Sequence, residues 1–232
     1  MKKIGFIIFI IALIVGVSLA NIFSFGKMTG RIFSFSINSG VAGTGNMASE
    51  KRDVSDFRGV NVGGVFQVEA TAGKDFSVEV EADDNLLSLI KTEVRGGTLR
   101  IETEERLSSK NPIRVRITAP DIENLDVSGA SKVSLHNISN ENLIIDASGA
   151  SKIIVAGESA NLVIDASGAS KIGAENLKSE NVAVDASGAS NVEVFAANEL
   201  KTDASGASNI VYQGNPTNLI KKTSGASSVQ QK

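Results

Sequence analysis

Apolar and polar residues alternate with a period of two through most of this chain, and from residue 121 the alternation itself repeats. Each repeat reads approximately Asn-Leu-x-Ile-Asp-Ala-Ser-Gly-Ala-Ser-Lys-Ile-x-Val. The motif glycines stand at 129, 149, 168, 188, 206 and 225, so successive steps are 20, 19, 20, 18 and 19 residues. Asp146–Ile153 and Asp165–Ile172 are full copies. Asp185–Val192 and Asp203–Ile210 carry Asn191 and Asn209 in the lysine place, and Asp126–Val133 and Lys222–Val229 are worn copies. Before the motif Leu143, Ile145 and Ala147 share one face while Ile144, Asp146 and Ser148 share the other; after it Ile153 and Val155 resume the inward series. Each repeat should therefore hold at least two short strands meeting at Ser-Gly-Ala-Ser, where glycine permits the bend and a close approach of backbones. A coil of about 19 residues cannot bury its own apolar face, but stacked coils can. The prediction is an all-β, single-stranded, right-handed parallel β-helix (a β-solenoid), with coils about 4.8 Å apart.

Stacking predicts columns of like residues. Ile145, Ile164 and Val184 form one inner column, which ends in Thr202 and Lys221; Ala147, Ala166, Ala186 and Ala204 form a second beside the corner. Lysine in the last coil fits an open sheet edge that must resist further pairing.

Ahead of the repeats, residues 54–120 form the irregular part of the same domain, which spans 54–232. Phe66, Val68 and Ala70 alternate as a strand, as do Phe76, Val78 and Val80, and then Ile113, Val115 and Ile117 up to Pro120. Asp83-Asp84 before Asn85–Ile90 predicts a capped helical turn. Val94–Leu99 predicts a hairpin, because Gly96-Gly97 supplies the positive φ of a tight loop. Residues 26–53 are rich in Gly, Ser, Thr and Asn without a sustained period and read as a flexible linker, although Phe33 and Phe35 could begin a strand. Residues 1–25 place Lys2 and Lys3 before an apolar run from Ile4 to Phe25. This is a signal peptide with a cut after Ala20, or else an uncleaved anchor helix that meets the membrane through residues 4–25. Either form delivers the remainder outside the cytoplasm, to the periplasm or cell surface.

Composition narrows the functional classes. A hydrophobic content of 42% suffices for a core, and with no Trp and one Tyr the apolar residues are mainly the small and β-branched types that suit strands. The formal charge is −3 over 23 basic and 26 acidic residues; loss of Lys2 and Lys3 would give 21 − 26 = −5. No basic cluster marks a nucleic-acid partner. The absence of cysteine excludes disulfides, thiol catalysis, Cys-bound metals and a lipidated N-terminal cysteine.

The Ser-Gly-Ala-Ser coils, preceded by Gly-Val-Phe-Gln-Val (64–68) and Val-Glu-Ala-Asp-Asp-Asn-Leu-Leu (80–87), resemble a bacterial family described as "putative auto-transporter adhesin, head GIN domain". The resemblance spans about residues 54–229. It implies a right-handed β-helix similar to pectin-lyase-like folds, no recognised catalytic residues, and a role in adhesion. No β-barrel segment follows the repeats, so a self-contained autotransporter is not expected.

Two kinds of residue could carry chemistry. Asp126, Asp146, Asp165, Asp185 and Asp203 should form an outer column, with like charges about 5 Å apart that repel by roughly 1 kcal/mol. Ca²⁺ could bridge them. The structural reading, preferred here, has each Asp accepting hydrogen bonds at the corner and pairing with the Lys132, Lys152 and Lys171 column. The two serine columns (148, 167, 187, 205 and 151, 170, 190, 208) need a base to act as nucleophiles, and His136 is the single histidine. Repetition speaks against catalysis, which uses one singular constellation. A polysaccharide lyase or hydrolase is the rival class, yet the repeats offer only Phe195 and Tyr212 for sugar stacking. A structural spacer is a third reading. The expectation is thus an exported non-catalytic binding or adhesion module, without cofactor, for a surface glycan or protein. The stretches 136–141, 156–160, 173–180, 195–199 and 213–217, where the repeats differ, should set its specificity.

Overall fold

The computed structural model describes residues 40–232; the predicted signal or anchor (1–25) and residues 26–39 of the predicted linker, with the Phe33 and Phe35 strand, lie outside the described residues. Among the described residues no helix is long and apolar enough to cross a membrane. In chain order the strands are β1 (Val41–Ala42), β2 (Met47–Arg52), β3 (Gly59–Gly64), β4 (Gln67–Ala72), β5 (Ser77–Asp83), β6 (Ile90–Arg95), β7 (Thr98–Thr103), β8 (Leu107–Ser108) and β9 (Arg114–Ala119). There follow β10 (Asn124–Gly129), β11 (Lys132–Ala147), β12 (Lys152–Ala166), β13 (Lys171–Ala186), β14 (Asn191–Ala204), β15 (Asn209–Gln213), β16 (Asn218–Thr223) and β17 (Ser228–Gln231).

The chain is a parallel β-solenoid of about five turns. Each long strand from β11 to β14 serves two stacks. Its C-terminal half belongs to a stack ordered β6-β7-β3-β10, then β11 to β14, then β16. Its N-terminal half belongs to a second stack ordered β2-β5-β9-β4, then β11 to β14, then β15 and β17. Neighbours are parallel except near the N-terminal end, where β6–β7, β2–β5 and β5–β9 run antiparallel. A short third side joins the halves. It begins at a register shift between Leu135 and Ile138, where Asn137 adopts φ +59°.

The core lies between the stacks and is built from the predicted columns. Ile145, Ile164 and Val184 are buried, and so is Thr202, which continues their column. Val133, Ile153, Ile172, Val192 and Ile210 form a parallel series, each with no exposed surface. Every such side chain contributes about 1.5–3 kcal/mol of burial. Lys221 ends the first column, and its Nζ lies 4.6 Å from the Tyr212 ring centroid, over the last aromatic of the core.

Two expectations change at the N-terminal end. The stretch read as a linker is structured from residue 40 on: β2 pairs with β5 over six residues, and β1 pairs with β8. Its glycine-rich backbone finds polar partners far along the chain. Asn85 accepts from the Thr44 N–H and donates to the Ala42 carbonyl, while the Asp84 N–H donates to the Asn46 carbonyl. The helical turn is a 3-10 turn over Asp84–Leu89, but Asp83 does not cap it. The Asp83 carboxylate is buried and accepts from Ser109 Oγ and Asn111 Nδ2, each at 2.7 Å. Those hydrogen bonds, led by Asn111, hold its pKa below the usual carboxylate value against the opposing effect of burial. The hairpin forms as predicted, β6 and β7 flanking Gly96 and Gly97 at φ +58° and +75°.

Candidate functional site

The repeated motif is spent on stacking. At each corner the glycine has φ between +71° and +83°, a region costly for other residues. A Cβ at Gly168 would lie 2.5 Å from the Gly149 carbonyl oxygen one coil below, so the corner needs glycine for space as well as for conformation. The residue after each glycine donates its N–H to the glycine below, as Ala169 does to the Gly149 carbonyl at 2.7 Å. The second serine of the motif is buried at every corner from Ser131 to Ser208. Ser190 and Ser208 Oγ lie 2.9 Å from the Ser187 and Ser205 carbonyls, tying the turn to itself.

The aspartate column is a ladder in strict register: Asp126, Asp146, Asp165, Asp185 and Asp203 are direct neighbours, all exposed. Its surroundings differ from expectation. Lys132, Lys152 and Lys171 form their own ladder on the second stack, beyond the corner, and no ion pair joins the two columns among the described residues. The corner turns the two outer faces in different directions, so six residues of separation do not bring the charges together. Nor do corner serines bond the carboxylates; the hydrogen bond to the ladder comes from Asn61 Nδ2 to Asp126 at 2.6 Å. Lys222 stands beside Asp203 at the other end. Between these ends the carboxylates face one another. Partial burial, and after it the neighbouring Asp126 and Asp165 charges, raise the pKa of Asp146; burial followed by Asp165 and Asp203 does the same for Asp185. Among the described residues no three carboxylate or imidazole groups converge as a metal cage would require; the ladder is a line, not a cluster.

His136 lies on β11 opposite Thr71, in a groove with Gln67, Arg116 and Lys132, away from the serine corners. The fold therefore does not bring His136 to the corner serines; the serine in its groove is Ser134, outside the motif. Arg114 and Arg116 in the same groove are engaged by Glu81 and Glu79 at 3.0–3.3 Å.

The variable stretches do meet. On the third side of the coil, Ser139, Asn140, Glu158, Ser159, Lys178, Ser179, Glu180 and Phe195 line an open cleft of about 410 Å³. Those residues come from four of the five stretches where the repeats differ. Asn140, Ser159 and Ser179 stand in register at its base, with Ser159 Oγ donating to Asn140 Oδ1 at 2.9 Å. At its mouth Lys178 Nζ lies 3.5 Å from Glu158 Oε1, with both side chains at least 70% exposed. A pair so exposed contributes little to stability and exchanges partners readily. Sequence reading missed an asparagine ladder: Asn181 donates to Asn161, and Asn161 to Asn142, each at 3.0 Å. Its signal was the asparagine that opens each repeat.

The bacterial family described as "putative auto-transporter adhesin, head GIN domain" matches residues 56–216. The chain belongs to this family. Solved structures of similar shape are a "putative adhesin" from Bacteroides fragilis, 18% identical over 83% of this chain and 100% of that one, TM-score 0.69, and a "putative adhesin" from Parabacteroides merdae, 15% identical over 83% and 98%, TM-score 0.51. A "putative lipid binding protein" from Parabacteroides distasonis is 17% identical over 83% and 99%, TM-score 0.50. At these identities the likeness is one of fold. Among curated proteins none matches the chain.

In this GIN-domain chain the corner, the inner columns and the asparagine ladder build the rod. What remains for recognition is the third-side cleft and the charged outer rows. The cleft offers hydroxyls, an amide, two carboxylates, an exchangeable lysine and one aromatic face, a set suited to hydrogen-bonding and stacking on a polar ligand.

Proposed function

We propose that this GIN-domain protein is an exported, non-catalytic adhesion module that holds a surface glycan or protein in the third-side cleft. One observation carries the reading: the shared motif is used up in stacking, while four of the five variable stretches line a single cleft. A rigid rod with a variable side is a means of presenting contacts at a distance, and its repeats keep the contact residues in fixed register. Family membership supports the adhesion-like role, and the apolar run behind Lys2 and Lys3 supports export.

The test is binding by the protein recovered from the cell envelope or the medium, screened on arrays of surface glycans and matrix proteins. A ligand held by the native protein and lost in the Phe195→Ala, Lys178→Ala double variant supports the reading. A ligand bound equally well by the double variant, or depolymerisation of a polysaccharide by the native protein, refutes it.

A further inference from the structure

The outer face of the second stack carries a row without a carboxylate. From one coil to the next it runs through Gln67, Lys132, Lys152, Lys171, Asn191 and Asn209. Five strand steps make it about 24 Å long. The row starts beside Arg114, which is held by Glu81. Its three lysines are exposed, and among the described residues none lies within ion-pair distance of a carboxylate. Like charges placed directly opposite on neighbouring strands are destabilising. The coil does not need them, since Asn191 and Asn209 occupy the same place with the corner unchanged. A line of unneutralised cations that stacking does not require is a surface suited to an anion.

The shape of the strip narrows the anion. The neighbouring row runs through Glu69, Ser134, Ile154, Gly173, Glu193 and Val211, and the Glu175 carboxylate lies over Gly173. The basic strip is therefore one side chain wide. Across the corner the aspartate ladder repels anions. A duplex or a membrane surface needs a broad basic face, and single-stranded nucleic acid needs aromatic platforms that this row lacks. A single extended chain bearing carboxylates and hydroxyls fits the mixture of lysines and amides. An extended anionic glycan can lie along the row, with its acidic groups spread along the same axis as the lysines.

We propose that this row binds a linear anionic polysaccharide laid along the solenoid axis, with carboxylates on Lys132, Lys152 and Lys171 and hydroxyls on Gln67, Asn191 and Asn209. The site is separate from the third-side cleft, so the two readings stand or fall independently. The experiment measures binding of alginate, a linear polyuronate, to the full-length protein in calcium-free buffer, beside its neutral propylene-glycol ester. The native protein is expected to bind alginate, to lose affinity steeply as salt rises, and to ignore the ester. The triple variant Lys132→Gln, Lys152→Gln, Lys171→Gln should lose at least about tenfold in affinity. The corresponding triple arginine variant should retain binding. Thermal melting checks that the glutamine variant remains folded. The proposal is overturned by no binding to alginate, by equal binding to the ester, by undiminished binding in the folded glutamine variant, or by equally tight binding of DNA or polyphosphate.

Discussion

Replacing Asp165 by Asn removes the middle charge of the aspartate ladder and is expected to stabilise the protein at neutral pH. Asp146 and Asp185 flank it in register, one strand step away on either side. Two unit charges about 4.8 Å apart repel by about 0.9 kcal/mol at the dielectric of water. Screening at physiological ionic strength roughly halves this, so two neighbours together yield about 1 kcal/mol. For a domain of this size that is a rise in melting temperature of about 2–4 °C. The asparagine can also donate to a neighbouring carboxylate, as Asn61 does to Asp126. The pH dependence follows from the raised pKa values of Asp146 and Asp185. With a folded-state pKa above the unfolded one, the fold holds extra protons in the window between them. Stability is therefore lost as pH rises through that window and regained below it. Urea unfolding of both proteins at pH 3, 5 and 7, in low salt and in 1 M NaCl, provides the assay. The advantage of the variant should be present at pH 7, shrink in high salt and vanish at pH 3. A variant less stable than the native protein at pH 7 would refute the reasoning, because it would mean that the carboxylates hold a compensating partner such as a bound cation. A gain that persists at pH 3 would refute it as well.

Two glycines separate conformation from space. Gly96→Ala, at φ +58° with nothing within 4 Å of the new Cβ, should lower stability by about 1–2 kcal/mol; Gly168→Ala adds a clash with the Gly149 carbonyl and should lower it by about 2–5 kcal/mol, as read from urea midpoints. Equal losses would show that the corner tolerates a side chain between coils. Asp83→Asn should destabilise at pH 7, because Ser109 and Asn111 then lose a charged acceptor. Since the Asp83 pKa is lowered by folding, its stabilisation is present above the unfolded pKa and disappears as pH falls through the folded one. Native and variant curves should therefore converge in acid, the opposite sign to the individual contributions of Asp146 and Asp185, and a gap that stays constant to pH 2 would count against the assignment.

Much of the architecture was legible because a strand ties sequence position to face. Residues two apart share a side, so Ile145, Ala147 and their equivalents could be assigned to the core before any pairing was known. The period near 19 then fixed which residues would stack, and the positive φ of the corner glycines followed from the bend they make. The convergence of the variable stretches on one side is a consequence of the same period, although the cleft they line depends on the turn near Asn137.

Lateral partners were not legible, because alternation says which face a side chain takes but not which way that face points after a corner. Asp146 and Lys152 sit six residues apart with opposite charges, yet the bend at Gly149 sends them to different stacks, and each column is left beside its own kind. The ordered stretch from residue 40 to 53 was hidden for a related reason. Its hydrogen-bond partners Asn85 and Asp84 lie about forty residues away, and polar pairings of that kind leave no periodic trace. The basic row has the same origin, since Gln67 precedes the repeats and meets Lys132 only through the pairing of β4 with β11. The sequence by itself determined the coil, its core and its corner, through local geometry that repeats. Tertiary structure alone decided which charges face each other, because that depends on register between strands distant in sequence and on the direction of each turn.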